Sequence, residues 1–223
     1  METRCVPLLG NDGLEKLKNS HIAVFGVGGV GGFVVEALAR VGVGSITIVD
    51  NDTVNQSNIN RQIIALNSTI GRKKVDVLKE RILDINPNCN VYAYDTFVSK
   101  DTINDFDFTK FNYVADCVDN VTAKILIIEK AKENNCGIIS SMGTGNKLDP
   151  KMFEIKDINQ TSVCPLAKVM RYELKKRNIT KVKVLFSKEE VKAHEDFVAS
   201  VSFVPSVAGL LIAREITLDI INN

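Results

Sequence analysis

His21 to Lys74 reads HIAVFGVGGVGGFVVEALARVGVGSITIVDNDTVNQSNINRQIIALNSTIGRKK. A short apolar run, Ile22 to Phe25, leads into Gly26, Gly28 and Gly31, which satisfy G-x-G-x-x-G with Gly29 in the same turn. A helical pattern follows from Val30 to Val41. A second apolar run, Ile46 to Val49, ends in Asp50, nineteen residues after Gly31. Strand, tight turn, helix, strand and acid in this order make a nucleotide pocket. The glycines let backbone N–H groups approach an anion closely. The helix start near Gly29 adds unpaired N–H groups and the positive end of the helix dipole. A glycine turn alone is weak evidence, because such turns also serve packing; the strands, helix and acid in register carry the reading.

The residues after the acid narrow the chemistry. Asp50 at a strand end suits the ribose hydroxyls, the plainer role being a cap or turn acid. Asp52 either orients Arg61 or opens the loop. The stretch Ser57-Asn58-Ile59-Asn60-Arg61-Gln62 is rich in side-chain donors. A dinucleotide dehydrogenase has no need of such a cluster directly after its ribose acid, whereas an enzyme that handles a triphosphate does. A guanidinium fits phosphate bidentately, and a hydrogen bond to a charged group contributes roughly 1.5–3 kcal/mol, so beside a nucleotide site Arg61 is favoured as a phosphate ligand over an exposed surface arginine. Lys73 and Lys74 follow Gly71 at the next helix start. Lys74 is favoured as the one reaching back to the phosphates, against a solvated lysine. A cation is unfavourable at a helix N-terminus, which points to an anion there. Asp119, after the strand ending near Cys117, is the candidate Mg²⁺ ligand, since that ion binds oxygens and keeps several waters. Asp119 or Asn120 also suits an N-cap. Together these parts would cradle ATP and leave its α-phosphorus open. An attacking carboxylate would give an acyl-adenylate and pyrophosphate, and would need no general base.

The rest of the chain sets the frame. Its 223 residues suffice to bury about 70% of the unfolded surface. Strand signals at Ile22–Phe25, Ser45–Val49, Val91–Tyr94, Tyr113–Cys117 and Gly137–Ser140 alternate with helix signals at Val30–Val41, Lys73–Asn86 and Val121–Asn134. Asn86-Pro87 stops the second helix. This alternation predicts an α/β, Rossmann-like fold with a mainly parallel central sheet and helices on both faces. The last third predicts a strand at Phe153–Ile158, a helix at Pro165–Lys176, a strand at Lys181–Phe186, a polar, mobile loop at Ser187–Glu195 and an apolar helix at Val204–Ile220. One domain over 1–223 is the simpler organisation.

Charges nearly cancel, 28 basic against 27 acidic, so a polyanion must be met by a local patch. Lys168, Arg171, Lys175, Lys176 and Arg177, with Lys181 and Lys183, supply candidates; spacing puts Lys168, Arg171 and Lys175 on one helix face, where a solvated face is the plainer alternative. The five cysteines show no C-x-x-C pair, which fits a reduced compartment and gives no support to a zinc site. Cys164, in a loop before Pro165, is expected to be exposed, leaving a catalytic role open. His21 and His194 show no partner. No apolar stretch approaches the roughly 18–20 residues of a membrane span and no signal peptide is visible, so a soluble, cytoplasmic protein is expected.

At this point the chain resembles the ubiquitin-activating-like, ThiF-type adenylyltransferase superfamily, which includes the activators of thiamine and molybdopterin sulfur carriers. G-x-G-G-x-G at Gly26–Gly31, D-x-D at Asp50–Asp52, S-N-x-N-R-Q at Ser57–Gln62, G-x-x-K at Gly71–Lys74 and D-N at Asp119–Asn120 match in order and spacing. That resemblance implies ribose at Asp50, phosphates at Asn58, Arg61 and Lys74, and Mg²⁺ at Asp119, with Asp52, Gln62 and Asn120 in the same site. Within the superfamily the whole chain resembles the tRNA threonylcarbamoyladenosine dehydratase family. The carrying segments are Arg4 with Leu8–Gly10, Ser141–Pro150, Pro165–Arg171 and Ser202–Gly209. Two places depart from the pattern: Cys5-Val6-Pro7 lacks the polar residues expected after the arginine, and Cys164 stands where many relatives carry aspartate. The resemblance implies an ATP-dependent ligase-type activation of the threonyl carboxylate on modified adenosine 37 of tRNA, followed by ring closure with net loss of water. It also implies a homodimer, with Arg4 reaching the neighbouring subunit's nucleotide. A monovalent cation and a sulfur-carrier or sulfur-relay protein are further candidate ligands. Two alternatives remain at this level: an activator of a ubiquitin-like sulfur carrier, against which the missing C-x-x-C pairs count, and an NAD-dependent module.

Overall fold

The computed structural model describes residues 4–190 and 198–222. Seven strands form one sheet in the order β3-β2-β1-β4-β5-β7-β6. They are β1 (His21–Phe25), β2 (Ser45–Val49), β3 (Asn90–Tyr94), β4 (Tyr113–Asp116), β5 (Gly137–Ser141), β6 (Phe153–Asp157) and β7 (Lys183–Ser187). All pairings are parallel except β6 with β7, which run antiparallel. The helices are α1 (Val6–Lys18), α2 (Gly31–Val41), α3 (Lys74–Ile85), α4 (Val121–Glu133), α5 (Pro165–Lys176) and α6 (Phe203–Asn222). None among the described residues is long and apolar enough to cross a membrane.

The central strands read as unbroken apolar runs because both of their faces are covered. Alternate side chains point to opposite faces. On β1, Ile22 and Val24 enter the core under α1, α2, α3 and α6, while Ala23 and Phe25 enter the one under α4 and α5. Phe25 anchors the second core through ring contacts with Phe106 and Phe108.

Several boundaries differ from the sequence reading. The N-terminal helix α1 escaped it, because Gly10 and Gly13 interrupt the pattern; the chain bends at Gly10 (φ 72°, ψ 165°) and resumes helix. α1 packs on α6, and Lys16 Nζ donates to the Ile221 carbonyl at 2.9 Å. β4 stops at Asp116, one residue short of Cys117, and β7 begins at Lys183 rather than Lys181. β7 also takes in Ser187; residues 191–195 of the expected polar loop, with His194, lie outside the described residues. His21 does have partners: Nε2 lies 2.8 Å from Thr47 Oγ1, and the ring packs against Tyr92 and Phe111.

α6 crosses α2 at Gly209. A Cβ there would lie 2.4 Å from the Val30 carbonyl oxygen and 2.8 Å from Phe33 Cβ. Gly209→Ala must therefore push the two helices apart, and overpacking of this kind costs about 1–3 kcal/mol. Urea unfolding should show a lower midpoint with an unchanged slope; an unshifted midpoint would mean that α6 is not held this closely.

Candidate active site

A cleft of about 660 Å³ opens at the carboxyl ends of β1, β2, β4 and β5. It straddles the point where strand order reverses between β1 and β4, the usual ligand position in open parallel sheets. Four segments wall it: the glycine turn after β1, the acidic turn after β2 with Asn58 to Gln62, the Cys117–Asn120 turn after β4, and Ser141–Gly145 after β5. Leu166 of α5, Phe97, and Val198 with Ser200 complete its rim.

The glycine turn is built on two close approaches. Gly26 has φ 81°, and a Cβ on it would meet the Cys117 carbonyl oxygen at 2.8 Å. A Cβ on Gly31 would lie 1.8 Å from the Gly26 carbonyl oxygen. Any side chain at Gly31 would lift α2 off the turn. With glycine there, Gly32, Phe33 and Val34 donate to the Gly28 and Val30 carbonyls, and the N–H groups of Gly28 to Gly31, at the start of α2 beside the cleft, stay free for an anion. Gly26, Gly28, Gly29 and Val30 line the cleft, whereas Gly31 serves the packing beneath it.

Asp50 accepts the Val27 N–H at 2.8 Å and the Asp52 N–H at 2.9 Å, so it ties the glycine turn to β2. Asp52 pairs with Lys74, Nζ to Oδ2 at 2.7 Å, and does not reach Arg61. The Lys74 side chain is only 6% exposed, its Nζ 3.9 Å from Asp50 and bonded to the 62%-exposed Asp52. Lys73 turns away to Asp95. The helix-start cation is thus met by carboxylates of the same site. Arg61 directs Nη1 to the Ser57 carbonyl and to Asn60 Oδ1, both at 2.8 Å, leaving its Nε–Nη2 edge for an anion. Asn60 in turn donates to the Ser200 carbonyl at 3.0 Å. Asn58 is buried and accepts the Asn55 N–H at 3.1 Å, closing a capping box. Gln62 is buried at the turn, and its Oε1 has no partner among the described residues.

The turn after β4 holds the clearest feature absent from the sequence reading. Asp116 and Lys124 are both fully buried and paired at 3.0 Å, and Ser140 Oγ donates to Asp116 Oδ2 at 2.5 Å. Asp116 also accepts the Val118 N–H at 3.3 Å. It is committed inward, which leaves Asp119 as the exposed carboxylate of this turn. Asn120, not Asp119, caps α4, accepting the Ala123 N–H at 3.0 Å. Lys124 sits eight residues after Asp116 in an otherwise apolar helix stretch; that misplaced cation was the available signal. No cluster of three or more His, Cys, Asp or Glu side chains with metal-binding geometry occurs among the described residues. A lone carboxylate beside a polyphosphate cleft still suits Mg²⁺, which is commonly bound by one or two carboxylates plus substrate phosphates.

Other expected residues fall elsewhere. Cys164 is 3% exposed and precedes α5, because its side chain turns into the core with Ala167 and Met170 rather than outward. Cys117 lines the cleft, but burial pushes its thiol up to about 12, with Asp116 adding to the rise and Lys124 opposing it, so at neutral pH it stays protonated. Arg4 is exposed and is not part of this cleft's lining. Within the expected basic patch, Arg171 is half-buried and donates to the Thr161 carbonyl at 3.0 Å. Arg177 pairs with Glu129 and Glu173, and Lys183 with Glu215 and Asp219.

The model of the ThiF family matches residues 2–222. The tRNA threonylcarbamoyladenosine dehydratase of Bacillus subtilis (strain 168) is 43% identical over 234 residues, covering 96% of this chain and 92% of that protein. The solved structure of the Escherichia coli tRNA N6-threonylcarbamoyladenosine dehydratase with AMP superposes with a TM-score of 0.93 at 32% identity, covering 98% of this chain and 93% of that one. The same enzyme with ATP gives 0.92 at 31%, with the same coverage.

The buried Asp116–Lys124 pair yields a test. Lys124→Met strands an unpaired carboxylate in the interior, which should cost about 3–5 kcal/mol; replacing both partners by apolar residues should recover much of it. Chemical unfolding of the single and the Asp116→Leu/Lys124→Met variants would show this. A single variant as stable as the parent would contradict the pairing.

Proposed function

The chain belongs to the ThiF family, and from that premise and the geometry of the cleft we propose that it is an ATP-dependent tRNA threonylcarbamoyladenosine dehydratase working as a single ThiF-type domain. The observation that carries this is the cleft itself: a glycine turn with the start of α2, a ribose-type acid, and two cations from different segments facing one cavity. Full-length likeness to enzymes of that name, with nucleotide in the solved ones, supports the same reading.

In this reading the N–H groups at the start of α2 and the Arg61 edge take the phosphates. Asp50 takes the ribose. Lys74 exchanges Asp52 for a phosphate oxygen, so its charge is never left unpaired. Asn58 and Gln62 offer amide groups to the same anion. Asp119 holds Mg²⁺, which when bound neutralises phosphate charge. The threonyl carboxylate attacks the α-phosphorus and pyrophosphate departs. An atom of the same side chain then attacks the activated acyl carbon, and AMP leaves with one former carboxylate oxygen. Water is lost overall, with its oxygen carried in AMP. Catalysis is positioning and charge stabilisation, preorganised where charge develops. A carboxylate nucleophile is already ionised at neutral pH, so the adenylation step requires no general base.

We further place the enzyme in the cytoplasm as a homodimer. Arg4 is exposed, is not among the residues that line its own cleft, and is close in sequence to Leu8, which is 86% exposed at the N-terminal end of α1. These are properties of a segment that reaches a neighbouring subunit.

Incubation with ATP, Mg²⁺ and threonylcarbamoylated tRNA should lower the mass of the modified nucleoside by one water and release AMP. Asp119→Ala should reduce turnover at least a hundredfold, on the order of the loss when one preorganised electrostatic group is removed, with the fold intact. An unchanged nucleoside mass from folded protein would refute the reading. ATP–pyrophosphate exchange that answers to a ubiquitin-like carrier protein and not to tRNA would replace it.

A further inference from the structure

We propose that the solvent face of α5 is the surface on which the RNA strand flanking the reacting nucleoside docks; the inference rests on the tRNA reading above. α5 buries Ala167, Met170 and Leu174, so the opposite face looks to solvent. That face carries Lys168, Tyr172, Lys175 and Lys176, offsets of four, seven and eight that line up along one side of a helix. All four are exposed, Tyr172 at 61%. The stripe differs from the one that spacing alone suggests: Arg171 is drawn inward by Thr161, and Tyr172 takes its place.

Three observations point to a nucleic acid. First, Lys176 Nζ lies over the Tyr172 ring, 4.1 Å from its centre, so an exposed aromatic ring and a cation are already held together. Single-stranded RNA is held by such pairs, bases stacking on the ring and phosphates meeting the cation. Second, the acid on this helix, Glu173, is engaged by Lys176 and Arg177. Among the described residues Lys168 and Lys175 have no acidic partner, which leaves two cations about 10 Å apart along the axis. A chain of net charge +1 needs such local charge to meet a polyanion. Third, Leu166, in the first turn of α5, lines the cleft. α5 thus begins at the rim of that pocket, and a strand that leaves the pocket along α5 reaches Lys168 within the first helical turn, round the side of the helix from Leu166.

The test uses full-length protein and threonylcarbamoylated tRNA, with binding followed across salt concentrations and conversion followed at steady state. Tyr172→Ala should weaken tRNA binding roughly tenfold without altering its salt dependence. Tyr172→Phe should bind as the parent does. Lys168→Ala with Lys175→Ala should raise the KM for tRNA and lower the slope of log affinity on log salt by about two, about one for each phosphate no longer neutralised. ATP affinity should be unchanged in every variant, which also reports that each is folded. Lys79→Ala, on α3 near the β3 edge, should change nothing. If the parent converts tRNA while both α5 variants keep its KM and salt slope, the docking surface is refuted and the dehydratase reading stands. If the parent neither binds nor converts tRNA, both fall together. If the variants lose affinity for a ubiquitin-like carrier protein and not for tRNA, the face belongs to a protein partner and the RNA assignment is overturned.

Discussion

The cleft depends on the missing Cβ of Gly31. With the Gly26 carbonyl oxygen 1.8 Å from where that atom would stand, nothing but glycine lets α2 begin directly above the end of β1. Asp50 then fixes the same turn from the neighbouring strand through the Val27 N–H. The outcome is a rigid loop whose free N–H groups and helix dipole converge on one spot. The other cleft-lining groups are arranged around that anchor.

Charge in the site is balanced before any ligand arrives. Lys74 is held between Asp50 and Asp52, and Arg61 rests on the Ser57 carbonyl and Asn60. A polyphosphate entering the cleft can substitute for Asp52 at Lys74, so binding exchanges one anionic partner for another and strands no buried cation. The second, deeper pair does different work. Asp116 and Lys124 neutralise each other inside the sheet–α4 contact, and Asp116 steadies the following turn through the Val118 N–H. That turn delivers Asp119 to solvent at the cleft mouth. One carboxylate of the turn is thus structural and the other is presented, a division of labour set by burial.

Much of this was legible in the residues. The parallel core was readable because strands buried on both faces appear as apolar runs, and the cleft because G-x-G-x-x-G, Asp50 and Asp119 all follow strand ends. Other features were hidden for physical reasons. α1 carries two glycines that break its periodicity, and it is held by docking against α6 rather than by its own pattern. The antiparallel β6–β7 pair at the sheet edge follows from tertiary pairing, which residue order does not encode locally. Arg171 and Lys183 looked like surface cations, but partners distant in sequence, Thr161 for one and Glu215 with Asp219 for the other, draw them in. Cys164 looked exposed because its loop is polar, yet its own side chain faces the core. Lys124 could have been noticed as a cation within an apolar helix face; its partner Asp116 became evident only once β4 and α4 were packed together.

The central claim is that this cleft holds ATP with its α-phosphorus open to a carboxylate. Oxygen tracing tests it most directly. With tRNA labelled with ¹⁸O in the threonyl carboxylate, single-turnover reaction and mass analysis of the products should find the label in AMP, alongside unlabelled pyrophosphate. Label in inorganic phosphate accompanied by ADP would place the attack at the terminal phosphorus. That result, or ring closure with no transfer of label to AMP, would contradict the account.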